Sequence, residues 1–178
     1  MENILEQERI IQTYLYLSSC LKKERLFHAD TLFLFPGNIV LNAEGERTSS
    51  PLFDMLKADC ALFTYGEYSR KYAEKKQGLR PSIDDMAQMF GSTVASRILP
   101  ARNDNACLIQ NKGFVVTGRF ENELIAAALL VEKACRTEML AGKIGQIRYL
   151  GPVLAEAEHA VYLMKYSKHE KEAADERR

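Results

Sequence analysis

Apolar residues recur at helical spacing at the start of the chain. Ile10, Tyr14, Leu17 and Leu21 form a seam that Ile11 and Leu15 widen, and Lys22, Lys23, Glu24 and Arg25 stand near its end. That pattern predicts an amphipathic helix over about Ile4–His28. The period then shortens. Thr31–Phe35 (TLFLF) is a β-prone apolar run closed by the turn signal Pro36-Gly37-Asn38, and Ile39-Val40-Leu41 resumes a strand. Asn42–Ser50 is polar loop, Leu52–Lys57 a short helix, and Ala61–Thr64 (ALFT) a buried strand.

Beyond this strand the charged stretch Glu67–Gln77 is helical and stops at Gly78. Pro81-Ser82-Ile83-Asp84-Asp85 leads into a helix or ordered loop at MAQMFG, with one aspartate capping it. Ala106–Gln110 (ACLIQ) and Phe114–Thr117 (FVVT) are strand-like, and Asn111-Lys112-Gly113 between them is a tight turn in which Asn or Gly accommodates a positive φ. Glu121 to about Gly142 carries Leu124, Ala127, Ala128, Val131, Cys135, Met139 and Leu140 along one side of a long helix. A last helix, about Leu154–Tyr166, runs into the charged tail HEKEAADERR. Short strands alternating with helices, without repeat or long linker, predict one α/β layered domain over 1–168 and a frayed, solvated tail over 169–178.

Composition narrows the classes. At 178 residues, 47% hydrophobic and 27% charged, the chain can bury a core as one domain. The 24 basic and 24 acidic residues cancel without forming a basic stripe, so nucleic acid is not expected as the main partner. Acidic residues occupy the N-terminus where an export signal would place Lys or Arg. No apolar run approaches the ~20 residues of a membrane span. A cytoplasmic protein without a membrane partner is the expectation.

Cys20, Cys60, Cys107 and Cys135 are widely spaced with no CxxC pair, and the last three sit among apolar neighbours. Neither a zinc site nor a disulfide framework is expected from them. The three histidines, His28, His159 and His169, lie far apart in the sequence.

The segment ACLIQNKGFVVTGRFENELIAAALLVEKACRTEMLA, from Ala106 to Ala141, resembles the latter half of the class II aldolase/adducin family. In that family a strand, an Asn-His-Gly turn, a second strand, Gly-Arg and an Ala-rich helix follow one another. LRPSIDDMAQMFG and ALFTYGEYS extend the likeness upstream. The resemblance implies a three-layer α/β domain with a central, mainly antiparallel sheet flanked by helices, and a homo-oligomer, commonly a tetramer. It also implies a divalent metal held by histidines, which as a Lewis acid stabilises an enediolate. Here Phe63, Tyr65 and Lys112 stand at those ligand positions. Phenylalanine offers no donor atom and an ammonium repels a cation, so no metal or other cofactor is expected.

Several residues remain candidates under that resemblance. Lys112 could hold an anionic ligand where the metal would sit, or be an exposed turn residue. Tyr65 could give a proton at a cleft, and Glu67 is the carboxylate nearest the altered positions, hence the candidate base. Gly37 and Asn38 match the family's phosphate-binding turn, while Ser49 and Ser50 match its Ser-Ser pair, with Pro51 where the family has glutamate. Those serines form an anion site or cap the helix expected after Pro51. Two functions follow. The first is a metal-free binding or assembly protein retaining an anion or sugar-phosphate cleft. The second is a metal-independent lyase or isomerase of a small phosphorylated sugar, using Lys112, Tyr65 and Glu67.

Overall fold

The computed structural model describes residues 2–175, with side chains over 5–120 and 122–165. Helix α1 (Glu2–Lys23) ends because Arg25 takes a left-handed φ of 59°. The Leu26 N–H then donates to the Leu21 carbonyl at 2.8 Å and the Arg25 N–H to the Lys22 carbonyl at 3.2 Å. This is a Schellman closure with arginine at the position glycine usually fills. It turns the chain into β1 (Leu32–Phe35), which pairs with β2 (Ile39–Leu41) through the hairpin at Gly37 and Asn38, where φ is 78° and 59°.

The remaining strands are β3 (Arg47–Thr48), β4 (Cys60–Thr64), β5 (Ala95–Arg97), β6 (Ala106–Ile109) and β7 (Gly113–Gly118). They form one sheet in the order β3-β2-β1-β4-β7-β6-β5. All neighbouring pairs are antiparallel except β5 with β6. The expected mainly antiparallel sheet is therefore present. Helices α2 (Glu67–Ala73), α3 (Asp84–Phe90), α4 (Glu121–Ile144) and α5 (Pro152–Asp175) complete the order. Among the described residues no helix is long and apolar enough to cross a membrane.

The strands look continuously apolar because both faces of the sheet are covered. Phe33, Phe35, Cys60, Leu62, Ala106, Leu108, Phe114 and Val116 join the larger core with Leu17, Leu21, Met86, Leu124 and Val131 from the helices. Their strand neighbours Leu34, Ala61, Phe63, Cys107, Ile109 and Val115 join a smaller cluster with Leu52 and Phe53. This alternation is the two-residue period of a strand read on two buried faces. One face is covered by helices and the other by the segment from 50 to 57. Helix α5 packs against α3 at the outside of the helical layer.

Several local expectations change. The helix expected over Leu52–Lys57 is a run of turns: Phe53 N–H bonds the Ser50 carbonyl and Leu56 N–H the Phe53 carbonyl, both at 3.1 Å. Both bonds span only three residues, and the Ser50 hydroxyl takes the Leu52 N–H at 3.3 Å. Neither aspartate caps α3. The N-cap is Ile83, and Asp84 and Asp85 are exposed in the first turn. Strands β3 and β5 carried no apolar signal, being short and edge-placed. Helix α5 continues as far as Asp175, so its backbone overlaps the charged tail expected from 169, whose side chains and last residues, 176–178, lie outside the described ones.

Burial has a readable consequence at high pH. Burial, reinforced by the Glu138 carboxylate, pushes the Tyr72 phenol up to about 12. Burial, with Asp104 nearby, pushes the Cys107 thiol up to about 12. In an unfolded chain these groups lose their protons near about 10 and 8.5. Between those values and 12 the unfolded state holds fewer protons than the folded one, so stability falls as pH rises. Urea unfolding followed by circular dichroism should give a midpoint that drops steadily from about pH 9 to pH 11. A midpoint flat across that range would contradict this placement.

Candidate functional site

The end of β4 is where the chain gathers its unusual side chains. Register pairs Thr64 with Phe114, which sets Tyr65 beside Gly113 and next to the turn bearing Lys112. A Cβ built on Gly113 would collide with the Thr64 carbonyl oxygen and lie 2.8 Å from the Tyr65 Cβ. Only glycine allows this approach. Asn111 takes a φ of 62°, as the turn requires, and its N–H bonds the Ala73 carbonyl at 3.2 Å, tying the turn to the end of α2. Lys112 is exposed on that turn.

Tyr65 is held by two ring contacts. The His28 ring stacks on it at 4.0 Å between centroids and 5° between planes, and the Arg70 guanidinium lies 4.9 Å from its centroid. His28 Nε2 is 2.8 Å from the Tyr65 carbonyl oxygen, which can only accept, so Nε2 carries the proton. Sequence distance had set His28 apart from this strand end; the fold brings it 37 residues back. Below it, Thr64 Oγ1 donates to the Leu26 carbonyl and sits 3.4 Å from Thr31 Oγ1. These buried hydroxyls fasten the α1–β1 loop to β4.

The other candidates lie elsewhere. Glu67 is exposed in the first turn of α2, where the Lys71 ammonium, 2.8 Å away, holds its carboxyl below the usual range. Leu34 pairs with Ala61 and Val40 with Thr48, so Gly37, Asn38, Ser49 and Ser50 all sit by the start of β4. A strand of five residues, about 16 Å, separates them from Tyr65 and Lys112. Ser49 is exposed and Ser50 buried. The structure brings Tyr65 and Lys112 together and leaves the Gly-Asn and Ser-Ser pairs at the opposite end of the sheet.

The residues at this edge do not fit a metal. Phe63 is buried in the smaller core and has no donor atom. The Tyr65 ring is in contact with the His28 ring and the Arg70 guanidinium, and Lys112 brings a positive charge. His28 is a single imidazole with one nitrogen already committed. Among the described residues no group of three His, Cys, Asp or Glu side chains converges to hold an ion.

Sequence spacing alone did not reveal Glu132, which organises the start of α2. Its carboxylate accepts the Tyr68 N–H at 2.8 Å and the Ser69 N–H at 3.0 Å. A Cβ at Gly66 would fall on that carboxylate, so a larger residue there would have to displace Glu132 from these N–H groups. Together with Arg25, Glu67, Tyr68, Lys133 and Arg136 these residues line a cleft of 410 Å³ between α1, α2 and α4. A second cleft, of 230 Å³, opens at the far end of the sheet around His159. Glu132→Ala should lower unfolding free energy by about 1–3 kcal/mol, since two backbone N–H groups lose a charged acceptor. Gly66→Ala should destabilise as well. Unchanged denaturation midpoints in both variants would refute this role for Glu132.

Sequence comparison finds no matching family model and no matching curated protein. Solved structures do match in shape. An L-fuculose 1-phosphate aldolase superposes with a TM-score of 0.67 at 14% identity, over 85% of this chain and 94% of that one. The L-fuculose-1-phosphate aldolase of Thermus thermophilus gives 0.60 at 12% identity, over 79% of this chain and 100% of that one. An aldolase II superfamily protein of Pseudomonas syringae gives 0.57 at 11%, over 90% of each. At such identities the likeness is one of fold, and it agrees with the sheet order and helical layer described above. The chain has the fold of the class II aldolase superfamily.

Proposed function

We propose that this protein uses a class II aldolase fold without the metal chemistry, as a binding protein for a small anionic ligand such as a phosphorylated sugar. The observation that carries the reading is the edge formed by β4 and the β6–β7 turn. Tyr65 is packed there against His28 and Arg70 beside the exposed Lys112 turn. Lys112 and Arg70 supply positive charge for a phosphate or carboxylate, which charged donors hold more strongly than neutral ones. The Tyr65 hydroxyl adds a polar contact at the same edge.

The reading as a lyase or isomerase would need Glu67 as base. The Lys71 ammonium lowers that group and keeps it paired in solvent, which weakens it as a base. Binding is therefore the function we favour. A homo-oligomer, with a tetramer favoured, belongs to the same proposal: α1 leaves Leu5, Ile11, Leu15 and Tyr16 exposed, a surface that assembly would cover.

Purified protein should contain substoichiometric zinc by elemental analysis, and inorganic phosphate or glycerol 3-phosphate should raise its melting temperature. Lys112→Ala should weaken either ligand about tenfold, the scale of one lost charged contact. Stoichiometric zinc, or binding indifferent to Lys112→Ala, would refute the reading. Sedimentation velocity should show a species of four chains. A monomer at micromolar concentration would remove the assembly part.

A further inference from the structure

The cleft at the far end of the sheet, away from Tyr65 and Lys112, has a chemistry of its own. It lies where β4 begins and β7 ends, with α3 and α5 closing it through Met89, Phe90 and Leu163. At 230 Å³ it is smaller than the about 300–1,000 Å³ of drug-sized pockets, so an occupant must be small.

Its inner wall is already paired. Glu123 accepts the Arg119 backbone N–H at 2.7 Å and the Tyr162 hydroxyl at 3.2 Å, and forms an ion pair with the Arg119 guanidinium at 3.4 Å. At the mouth, Lys57 and Asp59 both line the cleft and are exposed. No ion pair or side-chain hydrogen bond among the described residues engages either. One cation and one anion therefore stand two residues apart in the lining of the same small cleft.

His159 adds a ring nitrogen. Its Nδ1 is 2.6 Å from the Gln88 carbonyl oxygen, which fixes the ring proton on Nδ1. Nε2 is left as a lone pair, met only by the Asn105 amide at 3.4 Å, a long contact for a hydrogen bond. An ammonium could donate to Nε2 and to Asp59 while a carboxylate on the adjacent carbon meets Lys57. A simple anion would leave Asp59 opposing it, and a simple cation would leave Lys57 opposing it.

We propose that this cleft is a second ligand site, specific for a small zwitterion of the free α-amino acid class. The site is independent of the anion site proposed at the β4–β7 edge. Lys57 takes the carboxylate, and Asp59 and His159 Nε2 take the ammonium.

The test is isothermal titration of the full chain with each standard L-amino acid, with propionate and propylamine as single-charge controls. At least one amino acid should bind, and neither control should. Lys57→Met and Asp59→Asn should each weaken binding about tenfold or more, while Lys112→Ala leaves it unchanged. Both altered side chains are exposed, and circular dichroism will confirm that the variants fold. Absence of binding by every amino acid would overturn the proposal. So would equal binding of propionate or propylamine, or full affinity in the Lys57→Met, Asp59→Asn double variant.

Discussion

The approach of the β6–β7 turn to the end of β4 is the contact on which the rest of this molecule depends. At Gly113 there is no room for even a methyl group, because the Thr64 carbonyl oxygen occupies that space. With glycine, the two central strands run side by side over five register pairs, from Cys60 opposite Gly118 to Thr64 opposite Phe114. Every other strand is added outward from this pair. The next residues are clamped in turn: Tyr65 by the His28 ring, Gly66 by the Glu132 carboxylate, and Thr64 by the Leu26 carbonyl. Elements far apart in the chain are thus drawn to one short segment, 64–66.

That clamp also shapes the chemistry available at the edge. A ring in contact with an imidazole and a guanidinium is a packing arrangement, held in part by the attraction of the guanidinium to the ring face. A metal centre needs several converging neutral or anionic donors instead. The same logic separates the two ends of the sheet. The Gly-Asn hairpin and the Ser-Ser pair lie by the start of β4 because β1 runs antiparallel to β4 and β3 antiparallel to β2, which brings the end of β1 and the end of β3 to that side of the sheet.

Much of the fold was legible in the sequence. The unbroken apolar runs in Thr31–Phe35, ALFT, ACLIQ and FVVT marked the four central strands, because strands buried on both faces must be apolar throughout. The seam from Leu124 to Met139 marked α4. Asn111-Lys112-Gly113 announced its turn, and Asn111 has the positive φ that the residue type suggested. The segments without such a signature were lost. β5 takes its identity from pairing with β6 rather than from its own Ala-Ser-Arg, and the turns after Pro51 resembled a helix because Leu52, Phe53 and Leu56 all face a core. The site was less legible still. Lys112 and Tyr65 came from resemblance to a family pattern, and Glu132 lay within that pattern without a role assigned to it, whereas His28 and Arg70 carried no local motif.

The sequence by itself determined which segments are apolar on one side or two, where the chain must turn, and that Phe63, Tyr65 and Lys112 stand at the ends of two strands. These properties depend on residue type and short-range spacing, and so they can be read without coordinates. Only the tertiary structure decided which side chains meet. It placed His28 against Tyr65, Glu132 on the backbone of α2, and His159 near Asn105 in a cleft with Lys57 and Asp59. Such meetings span tens of residues and arise from strand register and helix packing, which leave no periodic trace in the chain.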